Sequence, residues 1–220
     1  MKTPNTLKEI LFVAAILLLP FAFLASVYSS MPETVPTHFN MEGRANGFST
    51  KEKLWYYILF LAALAAALYL LVRNIASIDP KKAAGASRRI YQKMAIAVVC
   101  LLSGINIVIV YSAKYNGHNT ARLLYPFLGL FFVFLGNMMH SVKPNYFVGI
   151  RSPWALEDEN NWRATHRLGS KIYFAGGLFI IIGTLLFPPK ASIWILEVTV
   201  AVMALTPILY SFLYFKRNKS

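Results

Sequence analysis

The 220-residue sequence contains little charge and almost no cysteine. Charged residues make up 14% of the chain, and acids are the scarcer sign, with 9 Asp and Glu against 22 Lys and Arg. A water-exposed surface needs more charge than this, so the composition excludes an ordinary soluble globular protein. The single cysteine, Cys100, excludes a disulfide framework and a thiolate metal site, and we interpret it as a small core side chain.

Long apolar segments take the place of charge. The sequence contains six runs of at least 18 residues with no Asp, Glu, Lys or Arg, except that the last contains Glu197; they are Ile10–Met31, Leu54–Val72, Met94–Ala113, Leu123–Val142, Ile172–Pro189 and Ala191–Phe215. A helix needs about 20 apolar residues to cross the hydrocarbon core, and these runs lack the alternation of a strand. We therefore predict an all-α, polytopic membrane protein with a bundle of six transmembrane helices.

The cations indicate the orientation of these spans. With the N-terminus inside, sixteen Lys and Arg residues flank the inner ends of the spans and six flank the outer ends. This asymmetry predicts that both termini lie in the cytosol. The cations lie beside span ends rather than in a basic-aromatic patch, which favours the lipid bilayer as their partner and excludes direct binding of nucleic acid.

Two connections between spans are rich in polar and aromatic residues. In the outer loop, residues 31–53, Pro and Gly recur so often that we expect neither a helix nor a long strand. The other connection, residues 140–170, is called the signature loop below, and we expect it to face the cytosol. It should turn at Gly149 and become helical after Asp158, a good N-cap, with Trp162 and His166 on one helix face.

The residues of these two loops resemble the SdpI family of bacterial membrane proteins. The outer loop is similar to a small module of unknown function that often precedes the family signature, through Met31, Pro32, Glu33, Thr34, Val35, Pro36, Thr37, His38, Phe39, Asn40, Gly43 and Lys51. The signature itself is matched by Gly136, Asn137, Met138, Lys143, Pro144, Asn145, Tyr146, Phe147, Gly149, Ile150, Arg151, Pro153, Trp154, Trp162, Thr165, His166, Arg167 and Gly169. The chain departs from the family pattern at Ser152, usually Thr, and at Asn46, usually Asp.

The resemblance implies both an organisation and a role. It implies an N-terminal three-helix half, residues 1–115, and a three-helix half with the signature loop, residues 116–220, in the bacterial inner (cytoplasmic) membrane. It also implies a non-enzymatic protein that gives immunity to, or senses, a membrane-active peptide toxin or envelope stress. The implied partners are an extracellular peptide toxin and a cytosolic transcriptional repressor, and no cofactor is expected.

Residue chemistry leaves alternatives open. His38 with Glu33 and Glu42 would suit a divalent metal, since such ions take neutral imidazole and ionised carboxylates. A metal-dependent membrane hydrolase would use His38 and Glu33, or His166 as a general base. Glu197 is the one formally charged residue inside a predicted span, and it would lie in the path of a small-solute transporter.

A structural interpretation of the signature loop competes with a binding one. Arg151, Arg163 and Arg167 would pair with the acids at 157–159, while Trp154 and Trp162 would lie as anchors at the membrane interface. In the binding interpretation the same Arg and aromatic residues form a docking surface on the cytosolic face.

Overall fold

The computed structural model describes residues 6–40, 44–78, 88–115 and 120–219. The elements in chain order are α1 (Thr6–Val27), a 3₁₀ turn (Tyr28–Ser30), β1 (Thr34–Phe39), β2 (Ala45–Thr50), α2 (Lys53–Arg73), α3 (Ile75–Ile78), α4 (Arg88–Lys114), α5 (Thr120–Met139), α6 (Pro153–Glu157), α7 (Glu159–Leu186) and α8 (Pro189–Lys219). Six of these helices, α1, α2, α4, α5, α7 and α8, are long and apolar enough to cross a membrane. The predicted all-α, six-span fold is confirmed, and the cytosolic position of the termini stays a prediction.

The chain forms two compact units. The first contains Met1–Leu70 and Ala95–Leu124, and the second contains Leu71–Met94 and Tyr125–Ser220. The segment Leu71–Met94 thus groups with the second unit, although it precedes part of the first in sequence. The predicted division into residues 1–115 and 116–220 stays a prediction.

The core of the first unit joins its helices to the outer loop. Leu24 of α1, Val35 of β1, Leu54 of α2 and Val110 of α4 are fully buried in one cluster. Because lipid is as apolar as these side chains, packing and hydrogen bonds, rather than escape from water, must hold the spans together. At the end of α4, Lys114 Nζ donates to the Ser30 carbonyl at 2.7 Å.

The outer loop contains a β-hairpin, which the sequence analysis did not expect. β1 and β2 pair antiparallel from Thr34 opposite Thr50 to Phe39 opposite Ala45, with irregular register on both sides of His38. Each strand has six residues, an ordinary length, so the prediction of no long strand is not contradicted. β-branched residues such as Val35 favour extended backbone, and Pro36 stands next to a bulge that accommodates its missing N–H.

The second unit is organised around α7. This helix packs along α8, and the short helix α6 contacts both. α5 approaches α7 at glycines: a Cβ on Gly177 would lie 2.6 Å from both the Gly129 carbonyl oxygen and the Val133 nitrogen. Ser170 of α7 donates to the Gly136 carbonyl at 2.6 Å. Small residues therefore let the two backbones touch, as in many membrane helix pairs.

Cys100 is exposed on α4 instead of buried in a core, so that interpretation was wrong. In lipid an apolar or weakly polar side chain has no need to face inward, and hydropathy alone does not identify the buried face.

The glycine contact gives a matched test. Gly177→Ala should lower the thermal unfolding midpoint of the purified protein in detergent, because the new methyl meets backbone atoms that cannot move; overpacking of this kind costs about 1–3 kcal/mol. Gly176→Ala is the control, since its methyl would meet the flexible end of Met203. Equal midpoints for the two variants would contradict the close approach of α5 and α7.

Candidate functional site

Asn145 fixes the first turn of the signature loop. Its amide nitrogen donates to the carbonyls of Lys143 at 2.8 Å and Val148 at 2.9 Å, and its amide oxygen accepts the N–H groups of Phe147 at 2.8 Å and Val148 at 2.7 Å. The side chain is 0% exposed. One buried amide thus replaces the regular secondary structure that this segment lacks.

His166 joins the loop to α7. Its Nε2 accepts the backbone N–H of Ile150 at 3.1 Å, and its Nδ1 lies 2.9 Å from the Trp162 carbonyl. An accepting Nε2 carries no proton, so Nδ1 must be the donor and the ring is neutral in this geometry. Gly149 has φ of +112°, and a Cβ there would collide with His166 Nε2. The turn at Gly149 is therefore both confirmed and sterically restricted to glycine.

Trp162 lies under this histidine. The two rings stack with centroids 4.0 Å apart, and Trp162 Nε1 donates to the Val142 carbonyl at 2.9 Å. The prediction that Trp162 anchors at the membrane interface was wrong, because its side chain is 1% exposed and packs with Val142 and Ala155. Its indole N–H reaches a loop carbonyl, so the whole ring can be buried without an unsatisfied donor.

A buried polar network continues into α8. Ser211 of α8 donates to Asn161 Oδ1 at 2.8 Å, and Thr165 donates to the same oxygen at 2.9 Å. Asn161 Nδ2 in turn donates to the Ser211 carbonyl at 2.9 Å, and Ser152 Oγ lies 2.5 Å from Ser211 Oγ. These hydrogen bonds satisfy buried polar groups and fix α8 against the loop.

The helix starts in the loop follow simple capping rules. Ser152 accepts the N–H of Ala155, and Pro153 occupies the first turn of α6. Asp158 accepts the N–H of Asn160 and begins α7 as predicted. Trp154 is half-buried, with its ring 4.9 Å from the ring of Phe212. The preferences of Ser, Asp and Pro at helix N-termini account for these boundaries.

Several signature residues point outward. Asn137, Lys143, Tyr146, Phe147, Arg151 and Arg167 are exposed, while Pro144 is half-buried. Arg163 pairs with Glu159 at 2.6 Å, which confirms one of the expected Arg–acid contacts. The interpretation that Arg151 pairs with an acid was wrong: its Nη1 donates to the Tyr146 carbonyl at 2.6 Å. This carbonyl lies within the same loop and leaves the positive charge of Arg151 at the surface.

The candidate metal residues have protein partners in the hairpin. His38 Nδ1 lies 2.5 Å from Asn46 Oδ1, and Glu33 Oε1 lies 2.9 Å from Lys51 Nζ. The hydrogen bond from Lys51 to Glu33 raises the pKa of Lys51. Among the described residues no group of three metal-ligating side chains comes together. A divalent ion at His38 and Glu33 would have to displace both contacts, and the metal site stays a prediction.

The other outer-loop residues shape the hairpin. Asn40 Oδ1 accepts the N–H of Arg44 at 2.9 Å, and the Asn40 N–H donates to the Arg44 carbonyl at 2.8 Å. Pro36 is buried. Gly47 lies opposite His38, where a Cβ would approach the His38 Cβ to 2.8 Å. Gly43 and Glu42 lie outside the described residues.

Glu197 is half-buried on α8 and interacts electrostatically with Tyr125 of α5. Tyr125 could not be predicted from the sequence, because an apolar run does not indicate which helices pair. The same holds for Ser211, because a lone serine near the end of α8 gives no signal until its helix neighbour is known.

The architecture defines a class of protein, a polytopic membrane protein with one connection folded onto its span ends by buried polar side chains. Residues 141–211 match the SdpI/YfhL protein family, and residues 15–66 match a domain of unknown function, DUF1648. These matches confirm the resemblance to the SdpI family. Together with the six spans, this similarity supports a multi-pass protein of the bacterial inner membrane.

A curated relative extends the likeness to nearly the whole chain. The protein named Immunity protein SdpI, from Bacillus subtilis strain 168, is 26% identical over 209 residues, which cover 93% of this chain and 96% of the relative. No solved structure matches the chain significantly.

The amide of Asn145 provides a test of the site. Asn145→Asp should destabilise the loop, because a buried carboxylate would face the carbonyls of Lys143 and Val148; losing hydrogen bonds of this kind costs about 1–3 kcal/mol each, and more for a charged group. Limited proteolysis in detergent, with cleavage mapped within 140–158, measures the opening. Asn160→Asp is the control, since it adds the same charge at an exposed position in the first turn of α7. Identical cleavage of the two variants would contradict the role of Asn145.

Proposed function

We propose that the protein gives immunity to a membrane-active peptide toxin, or to a related envelope stress, and relays its presence to the cytosol. The observation that carries this proposal is the similarity to Immunity protein SdpI over 93% of the chain. It includes both the outer loop and the signature loop, so the two candidate contact regions are retained together.

The signature loop supports the relay through the distribution of its side chains. Asn145, Trp162, Thr165 and His166 are turned inward and satisfied by hydrogen bonds or stacking. Their neighbours Lys143, Tyr146, Phe147 and Arg151 are exposed. A rigid backbone that presents Arg and aromatic side chains is suited to protein contacts, because little side-chain or loop entropy is lost on docking. We assign this surface to a cytosolic partner such as a transcriptional repressor.

The hairpin supports a receiving role for the outer loop. Val35 is buried in the core of its unit, while Phe48 on β2 is 63% exposed. An exposed aromatic side chain on a β-hairpin offers both an apolar contact and a strand edge to an amphipathic or extended peptide.

The alternatives are a metal-dependent hydrolase and a small-solute transporter. His166 is 1% exposed and both ring nitrogens contact backbone groups, so a general base there would first have to leave the loop. A transport role for Glu197 requires a solute flux in reconstituted vesicles that Glu197→Gln abolishes. The absence of any solute flux in these vesicles would contradict the transporter alternative.

Deletion of the gene tests immunity. Cells without the protein should be killed by at least one membrane-active peptide at a lower concentration than wild-type cells, and a plasmid copy should restore resistance. The measurement is the minimal inhibitory concentration across a panel of secreted bacterial peptides. Unchanged sensitivity to every peptide in the panel would contradict the proposal.

Arg151→Ala tests the relay separately. The change removes an exposed charge and the hydrogen bond to Tyr146, so the transcriptional response to a peptide should weaken while membrane insertion and resistance persist. RNA sequencing before and after peptide exposure measures the response. Arg217→Ala, another exposed Arg near a helix end, is the control. A full response in the Arg151 variant would remove this residue from the relay.

A further inference from the structure

A cleft of about 360 Å³ opens between the end of α5 and the start of α7. One wall is the turn formed by residues 140–144. The other is one face of α7, with Trp162, Arg163, His166 and Arg167. The stacked Trp162 and His166 rings are buried, so the cleft is bounded by rigid groups on its inner side.

The cleft is electropositive. The described residues that line it include Lys143, Arg163 and Arg167 and no acid. Glu159 lies beside it in an ion pair with Arg163. Arg167 is exposed and forms no ion pair within the part of the chain that the structure describes. Three cations held around one concave surface raise the local concentration of anions.

The side chains select the kind of anion. The planar forks of Arg163 and Arg167 match the oxygens of a phosphate group, and Lys143 adds a compact positive charge. His166 takes no part in acid–base chemistry here because both nitrogens are used within the protein. The volume is at the small end of the range for ligand pockets, which suits a headgroup-sized ligand.

The position of the cleft indicates the source of the phosphate. α5 ends at Met139, directly before the lining residue His140, and the uncharged run of α7 begins after Lys171. The cleft therefore lies where the apolar part of both spans gives way to polar residues, the depth at which lipid headgroups occur. Basic pockets between membrane helices bind anionic headgroups in this way.

We propose that this cleft binds the phosphate group of an anionic phospholipid through Arg167, Arg163 and Lys143. Such a site goes beyond the immunity role, because it concerns lipid on the flank of the signature loop; it shares Lys143 with the surface that we assign to a cytosolic partner. A bound headgroup would bridge the end of α5 and the start of α7.

Native mass spectrometry of the full-length protein tests the proposal. Detergent-solubilised protein is titrated with phosphatidylglycerol, with phosphatidylcholine and with inorganic phosphate at matched concentrations. We expect retention of phosphatidylglycerol over phosphatidylcholine, and an affinity about fivefold lower for Arg167→Gln, since a cation near the headgroup contributes about 1 kcal/mol. Arg167→Lys should keep part of the binding, because it retains the charge and loses the fork.

Arg217→Gln is the matched control. Ser211 contacts Asn161, so the C-terminal end of α8 and the N-terminal end of α7 lie on the same side of the membrane, and the control removes the same charge there without touching the cleft. Equal losses in the Arg167 and Arg217 variants would overturn the site in favour of diffuse charge attraction. Binding of inorganic phosphate without binding of phosphatidylglycerol would overturn the assignment to lipid.

Discussion

A neutral, buried histidine holds the signature loop in place. Both nitrogens of His166 are used, one by the N–H of Ile150 and one by the Trp162 carbonyl, and its face stacks on the Trp162 ring. Protonation of His166 would place a proton on Nε2, directly opposite the N–H of Ile150. The hydrogen bond between them therefore forms only when the ring is uncharged. Gly149 supplies the space that this contact needs. The exposed residues between Asn145 and Arg151 lie on the segment that His166 and Asn145 hold.

The spans and the helix starts could be predicted from the sequence because lipid imposes simple rules. A segment without charge for some 20 residues has few structures open to it, so the six helices followed from the positions of Asp, Glu, Lys and Arg alone. Asp158 as an N-cap and the shared face of Trp162 and His166 followed from local geometry. Gly149 could be recognised as a turn, but the reason for glycine there is a contact sixteen residues away in sequence.

Burial and partner choice could not be predicted. In a membrane both faces of a helix are apolar, so periodicity does not separate the core from the lipid side, and Cys100 was assigned to the wrong one. Trp162 lies beside cations near a span end, as interfacial anchors do. Only its hydrogen bond to the Val142 carbonyl shows why it is buried. The partners Ser211 and Tyr125 lie on other spans, and one sequence does not say which spans are neighbours. The hairpin was not predicted, because Pro36 disfavours a regular strand and the sequence does not indicate the bulge beside it.

The signature residues have two kinds of role, and this limits what family likeness means for function. Asn145, Trp162 and His166 hold the fold of this loop, because each forms a hydrogen bond with a backbone group within it. Likeness at these positions therefore indicates the fold. Arg151 and Arg167 are exposed, and neither takes part in the hydrogen bonds of His166 or Asn145. Functional differences between proteins that share this loop should therefore arise at such exposed positions, where the residue can change without loss of the hydrogen bonds beneath.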